Sequence, residues 1–344
     1  MGQADSQGVS SSYTIRNYQS GDEDGILQLL NEVFAEDNPD YTPRTMQQWR
    51  WQYEQNPCGH EIVVAQEEGG GIVGHYACLP ARAKVRDRIV QCSQGVDSMV
   101  NGEYRRRLKS EGLFLKTARF YFDEHGVPAR NAYGYGFPNK KALRLGIKML
   151  AYRPVFSPVP ALARNLFEHA DDSDLDTDIR QIVELDKLDN RVDRLWAGLA
   201  DQVSLGTVRD ARYLNWRYLD CPHARYVVFA LADAAGELRG LYIGRENWSG
   251  PPIFALAELL VSDDDQQAIV ALLAHAVAEA RVRGQQRVEF WCRPGSRVFD
   301  CVSSHGFKVE DSPFHLCIKP YDETLDLDWI QDNWYFSIGD SDVF

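Results

Sequence analysis

One pattern occurs twice in this chain, and the repetition limits the folds open to it more than any other feature. Trp51-Gln52-Tyr53 precedes Pro57 and then the apolar run Ile62-Val63-Val64-Ala65. Further along, Trp216-Arg217-Tyr218 precedes Pro222 and then Val227-Val228-Phe229-Ala230. Trp, Tyr, Pro and the start of the apolar run keep the same mutual spacing in both copies. A small-residue turn then leads to Gly74 in one copy and Gly240 in the other, one residue out of step. Each copy continues to a strand–helix–strand unit, closing at Ala151-Tyr152 and at Gly306-Phe307. Chance supplies one such match, not the set, so the chain reads as a duplication. Its 344 residues also suit two domains better than one.

Local patterning divides the first copy. The polar start over residues 1–12 is expected to be disordered. Tyr13 to Tyr18 alternates like a strand, and Asp22 to Phe34 puts Ile26, Leu27, Leu30, Val33 and Phe34 on one helical face. Ile62 to Gln66 reads as a strand, with Glu67 to Gly71 as the turn into a returning strand at Ile72. Two further strand-like runs end at Val100, and a helix is expected from Gly112 to a cap at Gly126. The first module is therefore expected over 13–153. Pro154, Pro158 and Pro160, with the acidic run Asp171 to Asp178, mark 154–205 as a connector, and 206–344 forms the second module. The alternating aspartates of that run lack the glycine and the twelfth-position glutamate of a calcium loop, so a solvated acidic loop is expected and no metal.

A formal net charge of -13 and a pI near 5.1 disfavour a general nucleic-acid binder and mildly favour cationic substrates such as amines. No run approaches the length of a membrane span and no signal peptide opens the chain, so no membrane role is expected. Met1-Gly2 and the residues after it fit the loose N-myristoylation pattern, read as chance. The seven cysteines are scattered and never spaced as CxxC, which fits reduced core thiols in a cytoplasm without zinc or disulfides.

Chemistry concentrates in Val100-Asn101-Gly102-Glu103-Tyr104-Arg105-Arg106-Arg107-Leu108-Lys109-Ser110-Glu111-Gly112-Leu113-Phe114, between a strand and a helix. Free N–H groups at a helix start bind anions, and Arg105, Arg106, Arg107 and Lys109 would add charge-assisted contacts to phosphates. A solvated basic turn is the other reading of the same residues.

This segment resembles the GNAT acetyltransferase family, whose members hold the CoA pyrophosphate on an Arg/Gln-x-x-Gly-x-Gly/Ala loop after a Val-x-Pro-x-Tyr-Arg-like run. Lys109 stands at the first position and Phe114 at the last small one, and the stretch from Tyr104 to Gly112 is longer than usual. Tyr133-Gly134-Tyr135-Gly136-Phe137-Pro138-Asn139, leading to Ala142, Leu145-Gly146 and Ala151-Tyr152, resembles the family's later strand, Asn-x-x-Ala helix and closing Gly-Phe. Arg209 to Tyr218 and the tail Trp334 to Asp342 resemble tandem proteins of this kind. The implied fold class is α/β, with two tandem modules, each a mixed, largely antiparallel sheet flanked by helices.

The resemblance implies acyl transfer from acetyl-CoA or another acyl-CoA to an amine of a small acceptor. Met99, Val100, Arg105, Arg106, Arg107, Lys109, Ser110, Glu111, Gly112, Leu113, Phe114 and Asn139 are the expected cofactor contacts, with Asn139 serving equally as a helix N-cap. Asp97 and His75 are the candidate bases, and a satisfied structural histidine is the stronger reading of His75. Tyr135, with Tyr133 beside it, is the candidate acid, because the family's tyrosine before the closing Gly-Phe is missing from Gly146 to Leu150. The tail to Phe344 either returns to the pocket with a carboxylate or packs as a terminal strand. Val261-Ser262-Asp263-Asp264-Asp265 would repel pyrophosphate, so the second module is expected to be degenerate for CoA. An aminoacyl-tRNA-dependent transferase of cell-wall type and a non-catalytic acyl-CoA scaffold are the alternatives. Oligomeric state and acceptor are not legible.

Overall fold

The computed structural model describes residues 12–38, 40–106, 112–168, 175, 177–248 and 252–342. Residues 1–11, the centre of the basic loop (107–111) and most of the acidic run lie outside them.

Among the described residues fifteen strands form two sheets. In the first, β1 (Tyr13–Asn17), β2 (Glu61–Glu67), β3 (Ile72–Val85), β4 (Arg88–Val100) and β5 (Tyr133–Gly136) lie side by side, and β6 (Arg153–Phe156) closes the far edge. The second contains β7 (Pro160–Asn165), β8 (Ile182–Glu184), β10 (Tyr226–Ala232), β11 (Leu238–Arg245), β12 (Ile253–Val261), β13 (Arg287–Trp291) and β14 (Lys308–Asp311). β9 (Leu205–Thr207) pairs with the far end of β3, and β15 (Leu316–Pro320) lies between β5 and β6.

Both sheets have the same order. The first runs β1-β2-β3-β4-β5-β15-β6 and the second β8-β10-β11-β12-β13-β7-β14. The sixth place in each is filled by a strand from the other half of the chain. β7 pairs antiparallel with β13 and β14, and β15 pairs antiparallel with β5 and β6. The halves therefore exchange one strand each. A boundary at 153/154 would cut β6, one at 205/206 would cut β9, and the segment expected as a connector carries β7, β8 and the helix Asn190–Leu199. The prolines mark the crossover between sheets: Pro158 follows a cis bond in the short link from β6 to β7.

Alternation and apolar runs explain the strands. β12 is buried along its whole length because helices cover one face and the tail the other. Helix Met46–Tyr53 begins at a full capping box between Thr45 and Gln48, and Trp49, Trp51 and Tyr53 point into the protein. Helix Leu113–His125 starts after Gly112 and ends at Gly126, as the sequence predicts. Helix Lys140–Leu150 buries Leu143, Gly146 and Leu150. One apolar cluster runs from Ala81 and Tyr135 through Trp196 and Leu214 to Trp334 and Ile338, so the two halves share a core.

Candidate active site

β4 and β5 are parallel and paired only at Ser93↔Gly134 and Gln94↔Tyr135. Beyond Gln94 they separate, and a cleft opens at their carboxyl ends, the usual place for a ligand in such a sheet. Helix Leu113–His125 follows β4 and helix Lys140–Leu150 follows β5, so both helices begin at that cleft.

β4 carries a bulge beside the cleft. His75 pairs with Met99 and Ala77 with Val96, leaving Asp97 and Ser98 opposite one residue of β3. Asp97 sits there at φ 46°, a left-handed conformation unusual for a side-chain-bearing residue. Its Oδ2 accepts hydrogen bonds from Arg44 Nη1 (2.5 Å), Tyr53 OH (2.7 Å) and Gln52 Nε2 (2.8 Å). Burial alone would raise the Asp97 pKa. The Arg44 charge, with hydrogen bonds from Tyr53 and Arg44, outweighs burial and holds it below the ordinary value.

Asp97 lines a cavity of about 250 Å³ between the halves of the chain. Tyr41, Arg44, Trp51, Gln52, Gln94 and Tyr135 contribute from one side, and Tyr213, Trp216, Arg217, His223, Ser341 and Asp342 from the other. Asp342 is open to this cavity yet ringed by protein. That enclosure, with the Asp97 charge, pushes its carboxyl up to about 6 against the opposing pull of Arg44 and Arg217. Burial lowers His223 to about 4, so it is a neutral imidazole at pH 7. The tail therefore returns to the pocket and brings a carboxylate with it.

The other expected site residues are distributed unevenly. His75 is 1% exposed and does not line the cavity. Its Nδ1 bonds to the Asp97 carbonyl at 2.8 Å, and burial lowers its pKa despite that bond. It supports the bulge from behind, the structural role weighed for it in the sequence. Tyr135 reaches the cavity wall, packed 5.6 Å from Trp334, and burial raises its pKa well above the ordinary value. Tyr133 packs on the same Trp334 at 5.6 Å and is not in the wall. Asn139 caps its helix, accepting from Lys141 N and Ala142 N.

Met99 and Val100 are core residues of β4, and Leu113 and Phe114 pack beside Val100. Asn101 N–H donates to Val73 O on β3, so strand alternation directs the Val100 N–H to the opposite, cleft-side edge. Arg105 forms an ion pair with Glu36 at 2.6 Å. Nothing is described of the Arg106 side chain, and Arg107, Lys109, Ser110 and Glu111 lie outside the described residues. Gly112 has φ −65° and ψ 153° at the helix start.

Sequence reading missed Arg44, Gln52, Tyr53 and Arg217 as site residues. The repeat held the signal. Arg44 precedes Trp51 as Arg209 precedes Trp216, and Arg209 Nε bonds Glu258 Oε2 at 3.1 Å while Tyr218 OH bonds Glu258 Oε1 at 2.8 Å. The set Arg–Tyr–acid thus occurs in both halves. In the second it is sealed, because Arg209 Nη2 also binds Asp340 at 2.5 Å and Arg209, Glu258 and Asp340 are buried. The gap beyond β12 and β13 is occupied by the chain's own segment Asn333–Ser337, leaving a cavity of only about 50 Å³. Asp265 caps the helix there and pairs with Arg239.

The splayed parallel pair, the bulge and the two flanking helices frame one open cleft in the first sheet. Residues 14–134 match the family model of the acetyltransferase (GNAT) domain. No curated protein matches the chain in sequence. A conserved Enterococcus faecalis protein, described as a probable N-acyltransferase, superposes with TM-score 0.65 at 12% identity, over 91% of this chain and 73% of its own. A GCN5-related N-acetyltransferase from Anabaena variabilis gives 0.64 at 10% identity, over 90% and 73%. Saccharomyces cerevisiae N-myristoyltransferase, solved with myristoyl-CoA, gives 0.57 at 12% identity, over 90% and 79%. Among the described residues no helix is long and apolar enough to cross a membrane.

Proposed function

We propose that this chain transfers an acetyl or other acyl group from acyl-CoA to an amine of a small acceptor, in one active site assembled by two diverged GNAT modules. The observation that carries the reading is the 250 Å³ cavity abutting the bulge of β4, since it meets the donor cleft at Asp97. The acyl-CoA lies along the cleft edge of β4, its pyrophosphate at the start of helix Leu113–His125, where unpaired N–H groups favour an anion. The Val100 N–H is available to the thioester carbonyl as negative charge develops on its oxygen.

The acceptor amine occupies the cavity. Asp342 takes its proton, because a carboxyl near pH 6 is ionised at neutral pH and still basic enough to matter. Asp97 is a poor base: its pKa is low and one oxygen already accepts three hydrogen bonds. It orients Arg44, Gln52 and Tyr53 around the acceptor instead. Tyr135 stays protonated and, at the β5 side of the wall, is the proton donor for the departing thiolate. The second module forms the far wall and takes no CoA, since Asn333–Ser337 occupies its cleft. Seven free cysteines suit a reducing cytoplasm.

Titration of acetyl-CoA and longer acyl-CoAs into wild type and Gly112→Arg tests the reading. A donor at a hundred times its Kd stabilises the fold by about 2.7 kcal/mol, visible as a rise in Tm. The expected result is a rise in wild type and none in Gly112→Arg. Silence of wild type towards every acyl-CoA overturns it.

A further inference from the structure

Helix Lys140–Leu150 carries a charge pattern that works against its own stability. Lys140, Lys141, Arg144 and Lys148 are exposed, and none forms an ion pair or side-chain hydrogen bond among the described residues. The helix has no acidic residue. Lys140, Arg144 and Lys148 follow one another at i,i+4, where like charges repel. Lys140 and Lys141 occupy the first turn, where the helix dipole already presents positive charge. A chain of net charge -13 thus places four unpaired cations on one helix. Leu145 and Ile147, 41% and 45% exposed, flank them.

The position of this helix narrows what it meets. It begins at Asn139, directly after β5, and so forms one wall of the donor cleft. A partner held on its outer face would have the cleft mouth beside it. The cationic stripe spans one helix of roughly 16 Å, the footprint of another helix rather than of a plane. A flat anionic membrane would also face the acidic remainder of the molecule. A small acidic protein touches the stripe alone, with more distant charges screened beyond about 8 Å.

We infer that this helix is the docking surface for a small acidic protein bearing the acyl group as a phosphopantetheine thioester, a second donor beside acyl-CoA. The inference rests on the acyltransferase reading above. The chemistry is the same for either donor: the acceptor nitrogen forms a bond to the thioester carbon, the C–S bond breaks, the amine proton passes to the base, and the thiolate leaves with a proton. The apolar flanks add contact area, and the cations give orientation and speed of encounter.

The test uses the full chain with an acyl carrier protein, apo for binding and acylated for turnover, against Lys141→Glu/Lys148→Glu and the charge-conserving Lys141→Arg/Lys148→Arg. Apo carrier should bind wild type with a salt-dependent Kd, at least tenfold more weakly to the Glu pair and equally to the Arg pair. KM for acylated carrier should rise at least tenfold in the Glu pair, with KM for acyl-CoA within twofold. The inference is overturned if carrier does not bind, if KM for both donors rises together (the cations then serve CoA phosphates), or if only phosphatidylglycerol vesicles bind. Carrier binding without transfer from either donor would refute the acyltransferase reading and leave the docking surface standing.

Discussion

The indole N–H of Trp51 donates to the Trp216 carbonyl at 2.7 Å, and the indole N–H of Trp216 donates to the Trp51 carbonyl at 2.8 Å. The rings stack at 5.6 Å. These residues, 165 positions apart, are the equivalent tryptophans of the two repeats. Equivalent residues making the same contact in both directions is the signature of a two-fold relationship, here within one chain. Both tryptophans also line the cavity of about 250 Å³.

Trp216→Phe keeps most of the stacking surface and removes one donor, leaving the Trp51 carbonyl buried and unsatisfied. The expected loss is about 1–3 kcal/mol, measured by denaturant unfolding. Trp51→Phe should cost a similar amount. Their double variant should lose less than the sum, since the two bonds share one interface. Strict additivity would argue against a coupled pair.

Asp342→Asn should abolish the rise of kcat with pH centred near 6 and lower kcat itself, because the amide cannot accept the amine proton. The same change should raise stability at neutral pH. A folded pKa raised from 3.8 to about 6 means the native state holds the proton more tightly, so stability is full below 3.8 and declines as pH rises through 6. Removing the charge abolishes that decline. Melting curves of both proteins at pH 4 and pH 8 should therefore differ only at pH 8.

For Asp97→Asn the sign is opposite. Its depressed pKa contributes stability above the ordinary 3.8, which is lost as pH falls through the lower folded value. The variant leaves Arg44 without its counter-ion, the Arg44 side chain being 25% exposed and so partly solvated. A cost of roughly 1–3 kcal/mol at pH 7 is expected, from unfolding in urea. KM for the acceptor should rise more than kcat falls, as befits a residue that orients the pocket.

Gly146→Ala tests the packing of helix Lys140–Leu150 against Tyr152. A Cβ at Gly146 would stand 2.2 Å from Tyr152 Cδ2. Tyr152 would have to move, breaking its 2.7 Å bond with Tyr76. A loss of roughly 1–3 kcal/mol is expected by thermal unfolding, despite alanine's better helix propensity.

Much of this was legible in the sequence, and the reason is local. The apolar face of Asp22 to Phe34, the helix limits at Gly112 and Gly126 and the run Ile62 to Gln66 each depend on neighbours in the chain. The repeat of Trp51 and Trp216 was visible because its spacing is unbroken, and the tail was read as one of two outcomes, a returning carboxylate or a packed strand. His75 and Asn139 had structural readings open beside functional ones, and the fold gives both structural contacts.

Tertiary structure alone decided the rest. Nothing local in the sequence marked β7 or β15 or named their partners, because backbone hydrogen bonds carry no side-chain identity. Their exchange between sheets, and with it the loss of any clean boundary near residue 154, depends on long-range pairing. The meeting of Asp342 with Arg44 and Asp97 is of the same kind. The sequence supplies the charges, but a pKa depends on what lies within a few ångströms, and only the folded chain brings residue 342 to residue 97.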